Sequence, residues 1–289
     1  MNGILIFFLS LCIANMSHAL AGCKPESSSQ PIEYVTIAIL AKDKAHTLPL
    51  YLSCIEKQTW PAQKTYVYIR TNNNNDETSE MLSAWIEKNR DKYADIYFDN
   101  MDVPEQVQQY KQHEWNCVRF KVLGKIRQDS IRWAYEHRSH YFVVDCDNFI
   151  KPHTLETLWK TNLAMVAPLL KTGRNAYSNY HAAIDVNGYL TECSLYYQLL
   201  NREIRGLIEV PVIHCTYFIR YEYLNRLTYD DESYRYEYVI FSDSARKNSI
   251  PQYIDTREDY GYITFAETEE QLNAEPWLTD FMQRELDLR

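Results

Sequence analysis

Tyr141-Phe142-Val143-Val144-Asp145-Cys146-Asp147-Asn148 is the stretch on which the fold turns. An apolar, β-branched run leads straight into two carboxylates one residue apart. Such a run reads as a buried strand ending at Asp145. In an open parallel sheet, ligands gather at the carboxyl ends of strands. Paired carboxylates there are the hard oxygen donors that Mn²⁺ or Mg²⁺ prefers. A cation so held neutralises the charge that grows on a departing diphosphate. The bare Asp-x-Asp spacing also fits a capped loop. The flanking segments weigh towards a ligand site.

Upstream, Tyr34 to Ala41 (YVTIAILA) reads as a strand and His46 to Lys57 as a helix, with Leu48, Leu52 and Ile55 on one face. Lys64 to Thr71 (KTYVYIRT) is a second strand, and the polar turn Asn72 to Asp76 follows it. Asp76 or Thr78 then caps a helix with Met81, Leu82, Trp85 and Ile86 inward. Asp95 to Asp99 is a third strand, Asp102 to Trp115 a loop, and Val118 to His137 a long helix. Downstream lie a helix over Leu155 to Lys160, a strand over Met165 to Leu170 and a strand-like run over Val210 to Arg220. Tyr238 to Phe241 and Tyr262 to Phe265 are short apolar runs. Alternation of strand and helix through about residue 170 predicts an α/β fold, a mostly parallel sheet with helices on both faces.

The composition of all 289 residues, 46% hydrophobic and 24% charged, suits a globular chain. With 30 basic and 39 acidic residues the net charge is −9, which opposes general nucleic-acid binding. Tyr is abundant at 24, and its rings and phenols suit pocket walls. Residues 1–22 lack Lys, Arg, Asp and Glu and read as a signal peptide around the apolar run Ile4 to Ile13. Leu20-Ala21-Gly22-Cys23 also fits a bacterial lipobox, in which Cys23 would carry lipid; this is the one membrane link the sequence offers. Residues 23–31 read as a tether. No C-x-x-C pair is present, so a zinc or thioredoxin-type site is not indicated, and Cys146 and Cys215 read as small core residues. G-x-S-x-G, P-loop, H-E-x-x-H and G-x-G-x-x-G signatures are missing from the sequence.

An ordered series of segments from about residue 34 to 265 carries a family resemblance. They are Ile37–Asp43 (IAILAKD) with His46, Leu48 and Pro49; Thr71–Ser79 (TNNNNDETS); Lys125–Gln128 (KIRQ); Tyr141–Asn148; Val166–Pro168; Ala176–Asn179 (AYSN); and Val210–Thr216 (VPVIHCT). The chain resembles the N-terminal glycosyltransferase domain of the procollagen galactosyltransferases and their cerebral adhesion-molecule relative. More distantly it is similar to family 2 nucleotide-sugar transferases. The resemblance implies a single GT-A-like (nucleotide-diphospho-sugar transferase) domain over 32–266, with an acidic C-terminal tail over 267–289. The family's larger C-terminal domain and its ER-retention tetrapeptide find no match in these residues, which end Leu286-Asp287-Leu288-Arg289.

What the resemblance implies is a metal-dependent transfer of a hexose, galactose or glucose, from a UDP-sugar to a glycan or protein acceptor. Asp145 and Asp147 would hold Mn²⁺ or Mg²⁺ and the diphosphate, with Asp147 acting in catalysis and His214 as a third metal ligand. Lys42, Asp43 and His46 would border the nucleotide. Asn72 stands where the fold usually places an Asp that reads uracil, and an Asn amide can also bond a base edge. Lys125 and Arg127 would neutralise phosphate or pair with the metal carboxylates. Tyr177, Ser178 and Asn179 would meet the acceptor, with Tyr180 beside them. Where the family has aromatic-Asp-Asp, this chain has Tyr236-Glu237-Tyr238, so Glu237 is the candidate base. Asp230 and Asp231 are nearby substitutes. The altered second position also fits a different class of protein, a catalytically inactive transferase-like domain used for exported binding or adhesion. A eukaryotic leader implies the secretory pathway and a donor supply; a bacterial lipoprotein implies the periplasm.

Overall fold

The computed structural model describes residues 32–105, 107–110, 114 and 116–288. The leader, the tether and Cys23 lie outside the described residues. The strands are β1 (Val35–Ala41), β2 (Thr65–Thr71), β3 (Asp95–Asp99), β4 (His140–Val144), β5 (Asn148–Ile150), β6 (Met165–Pro168), β7 (Leu170–Thr172), β8 (Tyr180–His181), β9 (Leu207–Glu209), β10 (Val212–Ile213), β11 (Thr216–Ile219), β12 (Gln252–Asp255) and β13 (Gly261–Ile263). The α-helices are α1 (Leu48–Glu56), α2 (Thr78–Asn89), α3 (Cys117–Glu136), α4 (Thr154–Lys160), α5 (Ser194–Leu200), α6 (Tyr221–Leu224), α7 (Glu237–Lys247), α8 (Glu269–Asn273) and α9 (Leu278–Glu285). None of these helices is long and apolar enough to cross a membrane.

An eight-stranded sheet in the order β3-β2-β1-β4-β11-β6-β12-β9 forms the centre. β3, β2, β1 and β4 run parallel, as do β6 and β12, while β11 and β9 run antiparallel to their neighbours. β1 and β4 are apolar nearly throughout because helices cover both faces. Successive side chains alternate between those faces. Ile37, Ile39, Phe142 and Val144 join the core under α1 and α2, whereas Ala38, Tyr141 and Val143 join the core with Ile131 and Ala134 of α3. The chain winds from β1 through β2 to β3 on one side, then returns to place β4 on the other side of β1. The carboxyl ends of β1 and β4 are therefore a topological switch point, the place where open sheets form ligand crevices.

The strand-like run 210–220 is two strands in different sheets. β10 pairs with β8 and β11 with β4 and β6. His214 and Cys215 separate them, and Cys215 takes a left-handed φ of 62° that turns the chain from one sheet to the next. The apolar run 238–241 belongs to α7. Residues 267–288 fold as α8 and α9, with Leu272, Trp277, Leu278, Phe281 and Leu286 in the core and Trp277 stacked on Tyr262 at 4.5 Å.

Candidate active site

The polar turn after β2 builds the loop after β1. Asp43 has a left-handed φ of 53°, and its backbone N–H donates to Asn74 Oδ1 at 3.0 Å while its carboxylate accepts from the Asn75 N–H at 2.6 Å. Asp76 accepts from the Ala45 N–H, and Thr78 Oγ1 accepts from the Lys44 N–H at 2.7 Å. These bonds shape the loop so that Lys42 and Lys44 line a cavity of about 360 Å³ at the switch point. Asn72, Arg127, Asp145, Asp147, Tyr177, His214 and Glu237 line the same cavity.

Two ion pairs organise its floor. Arg127, on the inward face of α3, donates from Nη2 to both oxygens of Asp145 at 2.7 and 3.0 Å. Lys44 Nζ donates to Asp147 at 2.9 Å. Burial raises the Asp145 pKa; Arg127 opposes the rise and Asp147 adds to it. Burial draws the Lys44 pKa down, but Asp147, with Cys146 and Asp145 adding to it, offsets this and leaves it raised. Glu237, the first residue of α7, has its Oε1 3.7 Å from Arg127 Nε. Its carboxyl is pushed up to about 7, by burial chiefly, against the pull of Arg127. Among the described residues, Arg127 Nε and Nη1 and Glu237 Oε2 are buried without a hydrogen-bond partner. Asp145 and Glu237 thus flank one guanidinium, and burial sets Glu237 to exchange its proton near neutrality, where a general base is most effective.

The other sequence candidates divide. Asn72 is buried, and its Nδ2 donates to Asn73 Oδ1 at 2.8 Å; its carbonyl oxygen is the acceptor this amide can offer a base edge. Asp43 is a loop staple and also pairs with Lys42. His46 does not line the cavity; its Nε2–H donates to the Ala266 carbonyl at 2.8 Å. Lys125 is exposed on the face of α3 opposite Arg127, since two residues in a helix turn the side chain by roughly 200°. Ser178 and Asn179 correct the acceptor assignment. Both are fully buried braces: Ser178 donates to the Leu170 carbonyl, while Asn179 accepts from the Leu170 N–H and donates to the Pro168 and Thr216 carbonyls. Tyr180 is buried too, its hydroxyl donating to the Tyr196 carbonyl. Asp231 pairs with Arg235 away from the cavity. His214 borders the cavity, with Nδ1 2.9 Å from the Cys215 sulfur, and burial holds its pKa well below the ordinary value. Cys215 also lines the cavity rather than the core.

Sequence reasoning missed Lys44, whose partner lies 103 residues away. It also missed Phe120 and Phe265, which border the cavity beside Tyr236 and Tyr177. Among the described residues no group of three or more His, Cys, Asp and Glu side chains is arranged to hold a metal ion, so His214 does not complete a triad with Asp145 and Asp147. The two carboxylates still suit a hard cation that takes its remaining ligands from a diphosphate and water. They do not form an all-protein cage.

This sheet with its flanking helices is the GT-A fold. S. aureus TarS residues 1–349 in complex with UDP-GlcNAc shares the fold, with a TM-score of 0.54 at 17% identity over 83% of this chain and 61% of that one. Residues 32–280 match the family model "Glycosyltransferase family 25, N-terminal domain", and the chain belongs to that family. Human procollagen galactosyltransferase 2 is 32% identical over 249 residues, covering 83% of this chain and 40% of that protein. Human inactive glycosyltransferase 25 family member 3 is 27% identical over 250 residues, covering 82% of this chain and 41% of that protein. The chain spans about two fifths of the length of these relatives.

Proposed function

We propose that the chain is a glycosyltransferase that moves a hexose, galactose or glucose, from a UDP-sugar to an acceptor hydroxyl. The observation that carries this reading is the switch-point cavity in which Asp145, Asp147 and Glu237 meet Arg127 and Lys44. Asn72 presents its carbonyl oxygen to an N–H on the edge of the base. Lys42 and Lys44 offer charge to the diphosphate. A divalent cation, when bound, adds positive charge against the leaving group, and Asp145 and Asp147 are the residues that would hold it. Glu237 takes the proton of the acceptor hydroxyl as its oxygen bonds to the anomeric carbon. The bond from that carbon to the diphosphate breaks, and UDP departs with the electron pair. A eukaryotic leader over residues 1–22 would put this reaction in the secretory pathway, and a bacterial lipoprotein leader would put the chain in the periplasm.

Titration calorimetry with UDP and Mn²⁺ should show metal-dependent binding that Asp145→Ala and Asp147→Ala remove. UDP release from UDP-galactose or UDP-glucose should then fall with Glu237→Gln. Absence of UDP binding by the unmodified chain refutes the reading. A second reading rests on Tyr238 at the second motif position and on the ion pair that already covers Asp145. It is a UDP-binding but catalytically inactive domain, and UDP binding without release from any UDP-hexose would establish it.

A further inference from the structure

Six rings line one side of the cavity in an unbroken arc. Phe265 meets Tyr177 at 5.1 Å, Tyr177 meets His214 at 5.9 Å, and His214 meets Tyr238 at 4.9 Å. Tyr238 continues to Tyr236 at 5.9 Å, and Tyr236 stacks on Phe120 at 4.0 Å. The arc starts beside the paired carboxylates, because the Thr264 N–H donates to the Asp147 carbonyl. It passes Glu237, which sits between Tyr236 and Tyr238. Phe265, Tyr236 and Tyr177 are 45%, 38% and 37% exposed, unusual for large rings that could pack inward. The rings come from five separate parts of the chain, so no local packing need gathers them.

We infer that this arc is the acceptor subsite and that the acceptor is a neutral pyranoside, its sugar ring lying against Tyr177 and Phe265 with a hydroxyl turned to Glu237. The inference rests on the transferase reading above and names its acceptor class. A pyranose offers an apolar C–H face to an aromatic ring and hydroxyls to phenol tips, which is what the arc provides. Five of the six rings are Phe or Tyr side chains, which bring no formal charge to the arc. An ammonium group is the rival guest for aromatic rings. Lys42, Lys44, Arg119 and Arg127 line the same cavity against Asp145, Asp147 and Glu237, so basic side chains outnumber acidic ones there and disfavour an added cation.

The test uses the full chain with Mn²⁺ and UDP, and saturation-transfer NMR with lactose, maltose and cellobiose as neutral probes and 5-hydroxylysine as the cationic one. At least one disaccharide is expected to bind. Phe265→Ala and Tyr177→Ala, both at exposed rings, are expected to weaken that binding roughly 5- to 10-fold while UDP affinity stays within about 2-fold. Failure of every disaccharide to bind overturns the inference, as does ring-dependent binding of 5-hydroxylysine in preference to the sugars. It is also overturned if the two variants weaken UDP-galactose or UDP-glucose and leave the disaccharide unchanged, because the arc then holds the donor hexose. Disaccharide binding by a chain that does not bind UDP overturns the transferase reading and leaves the sugar subsite standing.

Discussion

Arg127→Met tests the electrostatic centre of the site. The substitution keeps the length and apolar stem of the side chain and deletes its charge. It leaves Asp145 and Glu237 in place without the guanidinium that they flank at 2.7 and 3.7 Å. Breaking a buried ion pair by removing one partner costs about 3–5 kcal/mol. Part of this is returned, because the buried Nη1, which has no hydrogen-bond partner among the described residues, vanishes with the arginine, a relief of about 1 kcal/mol at the low end of such penalties. The expected net loss is therefore about 2–4 kcal/mol. For a domain of this size that corresponds to a Tm lower by roughly 4–16 °C.

The same substitution carries a sign. Arg127 opposes the burial that raises both carboxyl pKa values, so its loss raises them further. A carboxyl whose folded pKa is raised is unpenalised while both states are protonated, and its cost grows as pH climbs from the unfolded pKa to the folded one. The deficit of Arg127→Met should thus be larger at pH 8 than at pH 5. Urea unfolding at both pH values measures it. A loss below about 1 kcal/mol at pH 8, or a deficit that grows towards pH 5, would refute the assignment of Arg127 as the shared counter-ion.

Glu237→Gln should flatten the stability profile of the unmodified chain. With a folded pKa of about 7 against an ordinary 4.5, Glu237 lowers stability by up to about 3 kcal/mol as pH rises through that window; identical slopes in chemical unfolding from pH 4.5 to 7.5 would remove it from that role. Asn179→Ala should cost about 2–4 kcal/mol, because three buried backbone groups lose a partner. UDP affinity should hold, and a selective loss of UDP binding at unchanged Tm would return Asn179 to the site. Gly261→Ala should be among the most damaging single changes. Its φ is 145°, and an added Cβ would sit 1.9 Å from the Phe149 carbonyl oxygen, where β13 pairs with β5. An expressed variant with a Tm within 2 °C of the parent would show that β13 is placed elsewhere.

Legibility in this sequence follows the range of the interactions. β1 and β4 announce themselves because strands buried on both faces must be apolar along their whole length. The carboxylates that end β4 are legible for the same reason, since a charge can follow such a strand only where a crevice opens. Lys44 was invisible because its meaning lies in Asp147, reached through the winding of the sheet and not along the chain. Ser178 and Asn179 misled for a related reason. A polar residue that braces backbone and one that meets a ligand have the same letters, and only burial separates them. His214 and Cys215 hid a change of sheet, since a left-handed residue other than glycine leaves no mark in an apolar run. The two ends of the cavity differ accordingly. The end proposed for the nucleotide is made of strand termini and the loops they carry, and it is written in contiguous motifs. The ring arc takes Phe120, Tyr177, His214, Tyr236, Tyr238 and Phe265 from helix starts and loops that only the finished fold brings together. Within one family the first end is constrained by the sheet itself, whereas the second can change residue by residue without disturbing a strand. Under the proposed transfer reading, acceptor choice should therefore be the property in which members of this fold diverge, and Tyr238, packed on His214, is the position at which to look for it.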